Sequence, residues 1–207
     1  SGENDSLDKY TVFANNNWQL VDFALNNGGL PFVLWQDNTG NAVVQKYNAD
    51  GIYKIKFVFA PPEDGWTAER IVMDKNNKIR LLWAKDDKVK IQQITISGLV
   101  SVWTPVINLP SGYTLQDFEV GWLNNDQNNR FLLVNGDKAL VWKVSMSGTL
   151  VKNFSFTTPD GYLWQAMETT SDNRINLMLN NPETGIAQVW KIHYNNGTTE
   201  SKREYNM

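Results

Sequence analysis

The sequence predicts an all-β fold built from four copies of one unit, on three observations. An aromatic residue opens each unit, at Trp18, Trp66, Tyr113 and Tyr162, at intervals of 48, 47 and 49 residues. Apolar segments of strand length alternate with turns rich in Asn, Asp and Gly throughout. No segment sustains the 3.6-residue period of an amphipathic helix. Self-similarity at a fixed period outranks local signals, because each copy is one structural unit packed on its neighbours.

Each unit reads as four strands. The first follows the opening aromatic residue: Gln19–Leu25, Thr67–Met73, Thr114–Val120 and Leu163–Thr169. The turn after it carries Asn26–Gly29, Asp74–Asn77, Asn124–Asn129 or Ser171–Asn173, residue types that accept left-handed backbone angles and bond their own amides. The second strand is the most apolar, as in Phe32–Trp35, Leu81–Trp83, Phe131–Val134 and Ile175–Leu179. Such continuous apolar runs suit strands buried on both faces. Third strands end near Gly51, Gly98, Gly148 and Gly197. Fourth strands are expected at Tyr53–Phe59, Val102–Leu109 and Leu150–Thr157, with Pro61-Pro62, Pro110 and Pro159 closing them. Proline there ends a strand at no cost in ladder hydrogen bonds.

Up-and-down four-stranded units at this period spell a four-bladed β-propeller of four-stranded antiparallel blades. The expected division of the single domain is 18–64, 65–111, 112–160 and 161–207. The segment Lys9–Ala14 resembles a fourth strand, Lys56–Ala60, and is expected to close the last blade. Thr198–Tyr205 competes for that slot but is far more polar. The rival reading is a slice of a longer array.

Three stretches, Gly65-Trp66, Ile79-Arg-Leu-Leu-Trp83 and Trp142-Lys-Val-Ser-Met-Ser-Gly148, resemble tandem repeats of secreted and surface-attached bacterial proteins of the β-propeller type. The chain departs from WD40 repeats, since no unit has the Gly-His start or the Trp-Asp end. The resemblance implies an exterior location and specifies architecture, not chemistry.

Composition narrows the function classes. The 207 residues carry a formal net charge of -3, with 19 Lys and Arg scattered singly, so no basic stripe points to nucleic acid. Cysteine is absent, which excludes thiolate zinc sites and cysteine nucleophiles. No apolar run approaches the roughly 20 residues of a membrane span, and no cofactor or metal is expected.

The leading expectation is non-catalytic binding outside the cell, with a glycan as the ligand. Trp18, Trp66, Tyr113 and Tyr162 would stack on sugar faces. Asp22, Arg70 and Asp117, four residues on, would share the strand face and bond hydroxyls. The competing account makes the same rings interblade packing, burying roughly 150–250 Å² each. A second hypothesis is a protein-interaction or adhesion scaffold that uses Trp103, Trp122 and Trp164, which break the repeat; Trp122 and Trp164 are expected to be exposed. Arg80, Arg130 and Arg174 would tie each blade to an Asp of the next. A third hypothesis, a glycosidase or lyase, requires two acids converging at the ring axis. The acids weighed for it (Asp37, Asp86, Asp87, Asp126, Asp137 and Glu183) lie in turns. His193, the one histidine, reads as structural.

Overall fold

In a computed structural model, residues 17–95, 101–121, 128–170, 172, 174–193 and 195–206 are described. They form a four-bladed β-propeller without helices, each blade an antiparallel sheet. Blade 1 comprises β1 (Trp18–Leu25), β2 (Pro31–Asp37), β3 (Ala42–Tyr47) and β4 (Tyr53–Phe59). Blade 2 comprises β5 (Thr67–Met73), β6 (Ile79–Lys85), β7 (Lys88–Ile94) and a split outer strand, β8 (Ser101–Trp103) and β9 (Ile107–Asn108). Blade 3 runs β10 (Thr114–Val120), β11 (Asn129–Asn135), β12 (Lys138–Val144) and β13 (Leu150–Thr157). Blade 4 runs β14 (Leu163–Thr169), β15 (Ile175–Asn181), β16 (Ile186–Ile192) and β17 (Thr199–Asn206).

Two expectations need correction here. The fourth position of the last blade is held by the C-terminal β17, which pairs with β16 along its length. The predicted closing strand, Lys9–Ala14, lies outside the described residues. The polar sequence of β17 suits this place, because an outer strand is solvated and needs only backbone partners. The outer strand expected at Val102–Leu109 is broken: β8 and β9 both pair with β7 but are separated at Thr104-Pro105-Val106. Pro105 has no amide to give the ladder. Thr104 repairs the gap, its amide donating to Ile91 O and its hydroxyl accepting from Ile91 N.

Turns use the chemistry read from sequence. The side-chain oxygen of Asn26 accepts from the amides of Gly28 and Leu30, that of Asp37 from Thr39 and Asn41, and that of Asp74 from Asn76 and Lys78. Gly65, Gly112 and Gly161, just before the opening aromatic residue, sit at φ of 81°, 80° and 80°. Glycine reaches this region without steric cost.

The hydrophobic core lies between blades. The cluster joining blades 1 and 2 packs Phe32, Leu34 and Val44 against Trp66, Ile71, Leu81 and Trp83. Leu82 and Ile91 of blade 2 meet Phe118, Phe131 and Leu133 of blade 3. Leu132 and Val141 of blade 3 meet Trp164, Met167 and Leu177 of blade 4. Each blade therefore has a leading flank, facing the next blade, and a trailing flank, facing the one before.

Candidate functional site

The innermost strands β1, β5, β10 and β14 each carry one extra residue. Register shifts fall between Leu20 and Asp22, Ala68 and Arg70, Leu115 and Asp117, and Trp164 and Ala166. Such a β-bulge switches every following side chain to the opposite face. The consequence overturns the expected pairing of aromatic residue with charge. Trp66, Tyr113 and Tyr162 pack on the trailing flanks of blades 2, 3 and 4. Trp18 packs likewise against Trp35 and Tyr47 of blade 1. Asp22, Arg70 and Asp117 come after the bulge and point along the leading flank.

There the three charged residues clamp blade to blade. Asp22 Oδ2 accepts from the Ile71 amide of blade 2 at 2.9 Å. Arg70 Nη2 donates to Gln116 O of blade 3 at 3.3 Å. Asp117 Oδ2 accepts from the Met167 amide of blade 4 at 2.7 Å. Burial raises the pKa of Asp22 and of Asp117, against the opposing pull of these amide bonds and of Arg70.

One to three residues further along the same strands, the blades open on a cavity of about 560 Å³. Phe23, Ala24 and Leu25 of β1 and Ile71, Val72 and Met73 of β5 make one wall, which is apolar. Glu119 of β10 and Glu168 of β14, with Thr169 and Thr170, make the other. Registers with the second strands (Ala24–Phe32, Val72–Arg80, Glu119–Arg130, Glu168–Asn176) put Ala24, Val72, Glu119 and Glu168 at one repeat position. The cavity is thus two-sided by sequence: blades 1 and 2 supply apolar residues where blades 3 and 4 supply carboxyls.

Glu119 is held protonated to an unusually high pH. Burial, then the negative charges of Asp117 and Glu168, push its pKa from 4.5 up to about 8, against an opposing pull from Arg130. Arg130, cross-strand from Glu119, donates to Thr169 Oγ1 at 3.5 Å. A carboxyl that stays neutral near pH 7 both donates and accepts hydrogen bonds, whereas an ionised one only accepts. Sequence reasoning missed this pair. The available signal was the recurrence of Glu, 49 residues apart, inside strands whose counterparts carry Ala24 and Val72.

The remaining expected residues fall elsewhere. Trp164, expected exposed, is buried in the blade 3–4 core, edge-on to Trp190. Trp103 is half-buried against Trp83, and Trp122 lies outside the described residues. Tyr162 packs in the core and also borders a groove of about 370 Å³ with Asp137, Asp160 and Glu183. Arg80 does bridge blades, donating to Asn129 Oδ1 at 2.7 Å, and it also pairs with Asp74 of its own blade at 3.5 Å. Arg174 stays within blade 4, paired with Glu200 at 2.9 Å and Asp172 at 3.2 Å. His193 Nδ1 accepts from the Asn195 amide in a turn. Of the acids weighed at the sequence level, Asp37, Asp86, Asp87, Asp137 and Glu183 do not line the axial cavity, and Asp126 lies outside the described residues. Among the described residues, no group of three or more His, Asp or Glu could hold a metal ion.

Solved structures similar to the chain are propellers and related proteins of mixed activity. A protein of unknown function from Bacteroides caccae matches with TM-score 0.57 at 11% identity, over 91% of this chain and 62% of that one. A catalytically inactive virginiamycin B lyase from Staphylococcus aureus, with quinupristin, gives 0.56 at 13%, over 96% and 59%. The periplasmic gluconolactonase of Pseudomonas aeruginosa gives 0.55 at 13%, over 89% and 57%. The chain thus spans about three-fifths of the length of these structures, and the likeness is one of fold. No protein-family model and no curated protein matches the chain.

Proposed function

We propose that the chain is an extracellular, non-catalytic carbohydrate-binding protein whose ligand occupies the axial cavity. The observation that carries this reading is the two-sided wall: Glu119 and Glu168 share one cavity with the exposed apolar side chains of Phe23 and Leu25. A sugar has the matching character, with apolar C–H faces and hydroxyls around its edge. The apolar wall packs on a C–H face, Glu168 accepts from hydroxyls, and neutral Glu119 donates to a hydroxyl or ring oxygen. The volume, about 560 Å³, lies in the range of small-molecule sites and holds a mono- or disaccharide. This reading moves the ligand from the four opening aromatic residues, which are engaged in packing, to the ring axis.

The test is calorimetric titration of neutral mono- and disaccharides at pH 6.5, where Glu119 is protonated, into the parent chain, Glu119→Gln, Glu168→Gln and Tyr162→Ala. The reading expects Glu168→Gln to weaken binding tenfold or more, since each lost charged hydrogen bond is worth about 1.5–3 kcal/mol, and Tyr162→Ala to bind like the parent. Loss of binding in Tyr162→Ala alone would return the ligand to the aromatic positions.

A second reading, acid catalysis on a glycoside or similar substrate, is favoured by one specific feature. Neutral Glu119 shares the cavity with a second carboxyl group, Glu168, as glycoside cleavage by paired acids requires. Turnover of a glycoside panel, abolished by Glu119→Gln, would establish that reading over simple binding.

A further inference from the structure

The innermost strands carry an imbalance of charge that binding of a neutral sugar leaves unmatched. Across β1, β5, β10 and β14 there are five carboxyl side chains (Asp22, Glu69, Asp117, Glu119 and Glu168) and one cation, Arg70. Three of the carboxyls are engaged: Asp22 and Asp117 hold amides of the next blade, and Glu69 accepts from the Thr67 hydroxyl. Arg70 lies 4.0 Å from Asp117 and donates to Gln116 O, so its charge belongs to the clamp. The other two carboxyls, Glu119 and Glu168, line the axial cavity. Among the described residues neither has an ion-pair partner, and Glu168 accepts a long bond of 3.5 Å from Asn176 Nδ2.

The cations behind the cavity wall are turned elsewhere. Arg130, cross-strand from Glu119, donates to Thr169 Oγ1, and the negative charges of Asp117 and Glu168 outweigh its pull on Glu119. Arg80, cross-strand from Val72, pairs with Asp74, and Lys191, cross-strand from Asn176, pairs with Asp172. Lys143 is cross-strand from Arg130, one strand further from the axis.

We propose that the carbohydrate of the axial cavity is an amino sugar, its ammonium group seated on Glu119 and Glu168 and its C–H face on Phe23 and Leu25. The proposal rests on the carbohydrate reading given above and names the class of sugar. An ammonium brings three N–H donors together with the missing positive charge, and a carboxyl accepts from it in either protonation state. Phe23 and Leu25 are 65% and 55% exposed, so their apolar surface is open to the ring. A bound calcium ion fits this lining less well, because it takes about six to eight oxygen ligands. The polar side chains here are Glu119, Glu168, Thr169 and Thr170, and among the described residues no group of three or more acids or histidines could hold a metal ion.

Calorimetric titration at pH 6.5, where a sugar amine is protonated, tests this with glucose and galactose, each beside its 2-amino and 2-acetamido derivatives. The parent chain, Glu119→Gln and Glu168→Gln are compared. In the parent, an amino sugar is expected to bind about tenfold or more tightly than both of its neutral counterparts, as for a charge-assisted hydrogen bond. That preference should shrink in about 0.5 M sodium chloride, which screens a site open to water. It should also fall in Glu168→Gln. Gln matches Glu in shape, and the preference of the parent chain tests the proposal without either variant. Equal binding of the amino and neutral sugars overturns the amino-sugar assignment and leaves the carbohydrate reading standing, whereas binding of none of them overturns both. An amine preference that survives unchanged in both variants also overturns the assignment, since the ammonium would then sit on other groups.

Discussion

Replacing Glu119 by Gln tests the electrostatics of the axial cavity through stability alone. The carboxyl lies cross-strand from Arg130 and shares the cavity with Glu168, and its pKa is raised from 4.5 to about 8. A carboxyl whose folded pKa is raised contributes stability that is full below about 4.5 and is lost as pH rises through about 8. At about 1.4 kcal/mol per pH unit, that interval sets a ceiling of about 5 kcal/mol. The group borders a cavity open to water, and solvent screening reduces the expected effect to about 1–3 kcal/mol. Gln keeps the shape and hydrogen bonds of the neutral acid and cannot ionise. Urea unfolding at pH 5 and pH 8.5 should therefore show a smaller loss of stability on raising the pH for Glu119→Gln than for the parent, by about 1–3 kcal/mol. Equal losses in the two chains would refute the assigned burial and charge coupling of Glu119.

Three further outcomes are expected from the junctions. Trp66→Ala, in the blade 1–2 core, should cost about 3–5 kcal/mol in chemical denaturation, as for a buried aromatic residue; a loss under 1 kcal/mol would mean that the ring is not core. Asp117→Ala leaves the Met167 amide unpaired at the blade 3–4 joint and should cost about 1–3 kcal/mol, with amide exchange of Met167 accelerated in native-state hydrogen exchange. Unchanged exchange there would contradict the clamp. Gly161→Ala places a Cβ 2.9 Å from Asn181 Nδ2 at a φ of 80° and should lower stability by about 1 kcal/mol or more in thermal melts.

The architecture was legible in the sequence because it is written four times. Recurrence of Trp66, Tyr113 and Tyr162 after a positive-φ glycine marks the starts of blades 2, 3 and 4, and apolar β2, β6, β11 and β15 mark the centre of each blade. The bulges were not legible. Val21, Glu69, Gln116 and Gln165 include no glycine or proline to announce an extra residue, yet one residue per strand moved Asp22, Arg70 and Asp117 to the opposite flank from the aromatic residues. The split between β8 and β9 could have been read from Pro105, which cannot serve inside a ladder. Choosing Lys9–Ala14 over Thr199–Asn206 for the last outer strand weighed hydrophobicity where an outer strand needs only backbone bonds. Glu119 and Glu168 were hidden for a related reason. Each looks like a solvated strand residue alone, and only the packing of the inner strands β10 and β14 side by side brings the pair to one cavity.

The most direct test of the account is a carbohydrate-array screen of the parent chain at pH 6.5, read beside Glu168→Gln checked for native-like fold. The account predicts that the parent retains a defined set of saccharides and that Glu168→Gln loses them while keeping its fold and stability. Saccharide binding that survives Glu168→Gln unchanged, or a parent chain that retains no saccharide at all, would contradict the axial cavity as a carbohydrate site.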